Sequence, residues 1–190
     1  MRTPWLTVFD HRFIDSNIKN FRHVGGSVEL STPPPQVEGE ALPDGTISYH
    51  GQFDGRTNWF HFKLDKPLNE VIGIDARARI RSHFAHNPFH IVDASTFLWG
   101  GDWAMSVWQG QLLVSYRGVT TVWTAYPNTP NSWFDIRWYW RVTGQSILSF
   151  NGRMVAVRPD VHPQSPSSLS TLGFGSSDIH VIPPALPTPL

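Results

Sequence analysis

A strict period of two, in two separate segments, constrains this chain more than any other feature. In residues 72–81, Ile72, Ile74, Ala76, Ala78 and Ile80 alternate with Asp75, Arg77, Arg79 and Arg81. In residues 133–142, Phe134, Ile136, Trp138, Trp140 and Val142 alternate with Asp135, Arg137, Tyr139 and Arg141. Successive side chains of a strand point to opposite faces, so each segment reads as a half-buried strand with one apolar and one arginine-rich face. A slip of one residue would bury every arginine, which fixes the register.

Shorter alternating runs bounded by Gly, Pro, Asn and Asp recur along the chain, and no stretch beyond two turns has helical spacing. Residues 46–53 alternate Ile47, Tyr49 and Phe53 with Ser48, His50 and Gln52. Residues 59–64 alternate Phe60, Phe62 and Leu64 with Trp59, His61 and Lys63. The turn dipeptide Asp54-Gly55 between them predicts a hairpin. Residues 103–108 and 112–116, around Gln109-Gly110-Gln111, predict a second one, and 119–126 continues the meander. Residues 147–150 and 154–157 flank Asn151-Gly152, a dipeptide that tolerates the two positive φ angles of a type I′ turn. Late strands are expected at 169–174 and 179–182. Pro33-Pro34-Pro35 marks a loop, and residues 183–190, with four prolines, read as an extended or disordered tail. The expected fold is all-β, a two-sheet antiparallel sandwich forming one domain over residues 1–182.

Composition excludes several function classes. Lys+Arg and Asp+Glu balance at 15 each, so no net field favours nucleic acid or an anionic membrane. No apolar run approaches the roughly 18–20 residues that span a bilayer. The absence of cysteine removes disulfides, thiolate metal sites and a cysteine nucleophile. Nine Trp and 12 Phe supply the apolar bulk, each able to bury roughly 150–250 Å². Residues 1–13 mix Asp10, His11 and Arg12 among apolar residues and lack a signal-peptide layout. The expectation is therefore a cytoplasmic chain or a processed secreted one.

Residues 133–157 carry a family resemblance. A Trp-led alternating strand (Trp133-Phe134-Asp135-Ile136-Arg137), a short turn at Thr143-Gly144-Gln145, and Ser149-Phe150-Asn151-Gly152-Arg153-Met154-Val155 resemble the signature region of laminin G-like and related concanavalin A-like domains. The resemblance implies a jelly roll of two antiparallel sheets, one of them often concave and ligand-binding. It also implies a calcium option at a loop rim, for which Asp44, Asp54 and Asp102 are conceivable ligands, although no spacing selects among them. The fold itself hosts lectins, glycosidases, lyases and adhesion modules, so it fixes no activity. The clustered strand carboxylates of the jelly-roll endoglucanases are missing: Glu29, Glu38 and Glu40 read as lying in or near a loop, while Asp75 and Asp135 stand singly.

The candidate site is an arginine and aromatic face. If the polar sides of the two arginine strands joined Trp59, His61 and Lys63 on one sheet face, the set would be Trp59, His61, Lys63, Asp75, Arg77, Arg79, Arg137, Tyr139 and Arg141. Guanidinium forks bind carboxylate or sulfate bidentately and aromatic rings stack on sugar faces, which suits an acidic glycan. The competing reading is an ordinary solvated face of cross-strand Arg–Asp pairs. The leading function is thus a carbohydrate-binding, lectin-like module with a glycan or small-molecule ligand. One alternative is a lyase-like enzyme with His61 and Tyr139 as base and acid and Arg77 neutralising the substrate carboxylate. Another is a structural or protein-interaction domain. His83, His86, His90 and Asp93 lack metal-ligand spacing, and no cofactor is assigned. Serines 165, 167, 168, 170, 176 and 177 read as loop residues outside any nucleophile elbow. Among Phe97, Trp99, Trp103 and Trp108, core packing is favoured over a sugar platform.

Overall fold

The computed structural model describes residues 5–11, 15, 17, 21–53, 58–81, 95–100, 102–108, 111–116, 119–125, 132–142, 146–158 and 167–175. Among these residues every ordered element is a strand and every pairing is antiparallel. The strands are β1 (Phe9–His11), β2 (Phe21–His23), β3 (Gly26–Leu30), β4 (Gln36–Ala41), β5 (Ile47–Gln52), β6 (Trp59–Val71), β7 (Gly73–Arg81) and β8 (Ser95–Gly100). They continue with β9 (Trp103–Trp108), β10 (Gln111–Tyr116), β11 (Val119–Ala125), β12 (Trp133–Arg141), β13 (Ser146–Phe150), β14 (Arg153–Arg158) and β15 (Ser167–Gly175). The expected strand at 179–182, the 183–190 tail, Asp54, His83, His86, His90 and Asp93 lie outside the described residues.

Two sheets carry the structure. The larger runs β11-β10-β9-β8-β15-β6-β3 and the smaller β14-β13-β12-β7, with two-stranded pairs β1-β2 and β4-β5 beside them. The inner faces meet in one core. Phe62, Leu64, Trp103, Met105, Leu112, Val114, Leu169 and Leu172 of the larger sheet join Phe134, Ile136, Trp138, Trp140, Leu148 and Phe150 of the smaller. The rings of Trp103 and Trp138 lie 5.3 Å apart across the interface, and Trp138 Nε1–H donates to the buried Ser146 hydroxyl at 2.8 Å. That bond satisfies the one polar atom a buried indole carries, so the large side chain is buried without an orphaned donor. Each fully buried side chain of this size contributes roughly 1.5–3 kcal/mol.

The two period-two segments pair with each other, β7 against β12, in the register Arg81↔Trp133 through Gly73↔Arg141. Ile74, Ala76, Ala78 and Ile80 pack on the core, as the alternation predicts. Ile72 departs from it, standing exposed just before β7 begins. The Asn151-Gly152 hairpin forms as expected, with φ of 47° and 77°, and joins β13 to β14. The β9–β10–β11 meander and the core position of Trp103 and Met105 also follow the sequence. Side chains of Phe97, Trp99 and Trp108 lie outside the description.

Three expectations are corrected. Residues 46–53 do not form a hairpin with 59–64: β5 pairs with β4, while β6 is claimed by β3 and β15. The physical reason is burial, because Phe60, Phe62 and Leu64 gain far more inside the main sheet than against a hairpin arm that stays largely exposed. Glu29, Glu38 and Glu40 lie on strands rather than loops, the first on β3 and the others on β4. Ser167, Ser168 and Ser170 likewise belong to β15.

Candidate ligand-binding face

The outer face of the smaller sheet is built from the odd-numbered residues of β7 and β12. Cross-strand partners on it are Arg81↔Trp133, Arg79↔Asp135, Arg77↔Arg137 and Asp75↔Tyr139. Two arginines directly opposite each other repel, and such a pair weakens a sheet unless an anion lies between them. Asp75 is that anion. Arg77 donates to it through Nε at 3.2 Å and Nη2 at 2.8 Å, and Arg137 through Nε at 2.8 Å and Nη2 at 3.0 Å. One carboxylate thus takes two guanidinium forks, the strong bidentate form of the interaction.

Burial alone would raise the Asp75 pKa, but hydrogen bonds from Arg137 and Arg77, with their charges, outweigh it and hold it below the ordinary carboxylate value. The hydrogen bond to Asp75 likewise raises Arg77. Asp75 is sunk in the face at 21% side-chain exposure, whereas Arg77 and Arg137 stand at 66% and 45%. Each guanidinium spends only its Nε and one Nη on Asp75, so donors remain on the solvent side of both.

Aromatic rings run through this lattice. Arg81 and Arg79 lie 4.7 and 5.8 Å from the Trp133 ring, and Arg137 lies 5.5 Å from the Tyr139 ring. At one end the β4–β5 hairpin closes over the sheet. There Arg81 donates to Glu40 at 2.8 Å, His50 meets the Trp133 ring edge-on at 5.4 Å, and Glu38 accepts from Gln52 and lies 3.4 Å from His50. At the other end Trp5, Tyr139 and Arg141 gather. Trp5, Trp133, Glu38, Glu40 and His50 were not assigned to the site from sequence. Glu38 and Glu40 do carry a local signal, the Glu-x-Glu alternation that puts both on one face of β4.

The structure divides the sequence-derived set. Asp75, Arg77, Arg79, Arg137, Tyr139 and Arg141 share the outer face of the smaller sheet. Trp59, His61 and Lys63 are on β6 in the larger sheet, facing away from the common core that Phe60, Phe62 and Leu64 enter. Trp59 and His61 stack on each other at 3.7 Å. His61 and Tyr139 therefore stand on opposite sides of the sandwich, and the His61, Tyr139 and Arg77 set does not converge on one ligand. The reason is connectivity: β6 and β7 are consecutive but belong to different sheets.

Of the conceivable calcium ligands, Asp54 lies outside the described residues. Asp44 accepts from the Thr46 hydroxyl and backbone N–H, which lower its pKa, and Asp102 accepts from Ser168 at 3.4 Å. Among the described residues no three His, Asp or Glu side chains gather in a metal-binding group.

No family model matches the chain, and no curated protein does. Solved structures do. A botulinum neurotoxin DC binding domain in complex with SialylT is 11% identical with a TM-score of 0.56, over 79% of this chain and 38% of that one. The same domain in complex with rat synaptotagmin II is 12% identical with a TM-score of 0.51, over 78% and 38%. A botulinum neurotoxin type C structure, described by dependence of cell entry on two ganglioside molecules, is 11% identical with a TM-score of 0.52, over 81% and 39%. At this identity the likeness bears on the all-β fold alone, and the chain spans about two-fifths of the length of each neighbour.

Proposed function

We propose that this chain is a carbohydrate-binding β-sandwich module, of the concanavalin A-like or laminin G-like jelly-roll type, that takes acidic glycans on the outer face of the smaller sheet. The observation that carries the reading is the Arg77–Asp75–Arg137 lattice. One sunken carboxylate holds two forks side by side, leaving outward donors and a local charge of +1 where a sulfate or carboxylate would sit. Tyr139 and Trp133 add ring faces along the same strand. Neighbours of this fold whose descriptions name gangliosides or SialylT are compatible with a glycan partner.

The test is a glycan array of neutral, uronate and sulfated oligosaccharides at low and moderate salt, repeated with an Arg77→Ala/Arg137→Ala double variant. Binding to acidic glycans should weaken with salt and fall at least about tenfold in the variant. The double variant leaves Asp75 without its partners, about 1 kcal/mol, so its melting temperature should drop by roughly 2–4 °C and no further. Binding confined to neutral sugars, or untouched by the double variant, would remove this face from consideration.

A further inference from the structure

The arginines of this face are not equivalent. Arg77 and Arg137 are held by Asp75, Arg79 lies 3.8 Å from Asp135, and Arg81 is paired with Glu40. Arg141 meets no carboxylate among the described residues; its neighbours there are the rings of Trp5 and Tyr139. Its guanidinium carbon lies 4.9 Å from the Trp5 ring centroid and 6.0 Å from that of Tyr139. The two rings are 5.7 Å apart and tilted by 55°. An arginine held by ring faces keeps its fork available, because a cation–π contact uses the flat face of the guanidinium rather than its N–H edge.

Trp5 lies close over Gly73, which has no side chain. A Cβ at Gly73 would stand 2.9 Å from the Trp140 carbonyl oxygen, 3.1 Å from Cγ of Arg141 and 3.2 Å from Cη2 of Trp5. The indole therefore rests directly on the sheet, yet 49% of Trp5 remains open to solvent. A large aromatic surface left half-exposed over a glycine, beside a fork that no carboxylate among the described residues holds, suits a sugar-stacking subsite. Exposed Leu6 and Ile72 flank it.

We infer that Trp5, Tyr139 and Arg141 form a subsite for a sugar ring bearing a carboxylate, with the ring's C–H face on the indole and the carboxylate on the Arg141 fork. A planar carboxylate matches two parallel N–H groups of a single guanidinium bidentately. The inference rests on the glycan reading above and assigns the ligand's acid group and the ring that stacks.

The probe is a hyaluronan hexasaccharide, which carries uronates and no sulfate, titrated into the full chain by calorimetry. Its methyl-esterified form, a chitin hexasaccharide and a heparin-derived hexasaccharide serve as comparators. Wild-type protein should bind the free acid at least about tenfold more tightly than the ester. Trp5→Ala and Arg141→Gln should each weaken that binding by about tenfold or more, with Arg141→Lys intermediate because it keeps charge without the fork. Melting curves within a few degrees of wild type would show that the variants fold. Equal binding of acid and ester, or preference for the sulfated probe alone, would overturn the carboxylate assignment. Trp5→Ala and Arg141→Gln binding like wild type, while the Arg77/Arg137 double variant fails, would overturn this subsite and leave the face reading standing. No glycan bound by wild-type protein would overturn both, and binding to lipid vesicles or a protein through Leu6 and Ile72 would then account for the exposed tip.

Discussion

The outer sides of β6 and of β7–β12 look alike when read along one strand and behave differently once the strands are paired. Trp59, His61 and Lys63 alternate as cleanly as Arg137, Tyr139 and Arg141. Across from Trp59 and His61, however, β15 places Gly175 and Gly173. With no side chain on that flank, the indole collapses onto the imidazole two residues along. On β7–β12 every polar residue from 75 to 81 meets a polar or aromatic partner, so a lattice forms around Asp75. Alternation selects which residues share a face; cross-strand partners decide whether that face becomes a site.

The largest effect should come from the layer beneath both faces. Trp138 lies on β12, touches Trp103 of the other sheet, and is fully buried. Trp138→Ala should cost about 3–5 kcal/mol in urea unfolding, through lost burial and the cavity left behind. It should lower the stability of both faces in a single transition, since they share one core. A loss below about 1 kcal/mol, or two separate transitions, would mean that the sheets do not depend on each other and that the comparison joins two independent units.

An intermediate effect belongs to Asp75. Asp75→Asn leaves Arg77 and Arg137 opposite each other with no anion between, and should cost about 1–2 kcal/mol at neutral pH. The sign of its pH dependence follows from the lowered pKa. The carboxylate contributes its stabilisation fully above its ordinary value of 3.8, and that contribution is lost as pH falls through the lower folded value. Wild-type stability should therefore have an acid limb below about pH 4 that is shallower in Asp75→Asn, measured by thermal melts from pH 2 to 7. Parallel limbs for the two proteins would show that Asp75 does not organise the arginines in solution.

How much of this was legible in the sequence depends on the range of the forces involved. The β7 and β12 registers and the Asn151-Gly152 turn were legible, because charge alternation and two positive φ angles are local demands. The pairing of β5 with β4 was not. Residues 36–41 hold few apolar side chains and stay largely exposed, so they present no apolar alternation to read, only the Glu38-x-Glu40 spacing. The separation of β6 from β7 into two sheets was hidden for a different reason: nothing in either strand names its neighbours, and only the shared core does. Trp5 was missed because a lone Trp before β1 has no pattern, and it meets Arg141 by packing over Gly73, a contact no local repeat announces.

The smallest effect should be found on the β6 face, and it is the sharpest check on the comparison. Lys63 is exposed, and its cross-strand partners are Ser27 and Thr171, neither of them charged. Lys63→Gln should change unfolding free energy by no more than about 0.5 kcal/mol, as surface substitutions away from a charge network do. Acidic-glycan affinity should also stay within about twofold, because the removed charge stands on the far side of the core from the arginine lattice and water and salt screen what crosses. A tenfold loss of affinity in Lys63→Gln would place ligand contact on the larger sheet. Trp59, His61 and Lys63 would then be the functional surface, and the Asp75 lattice would be the solvated face that cross-strand ion pairs ordinarily make.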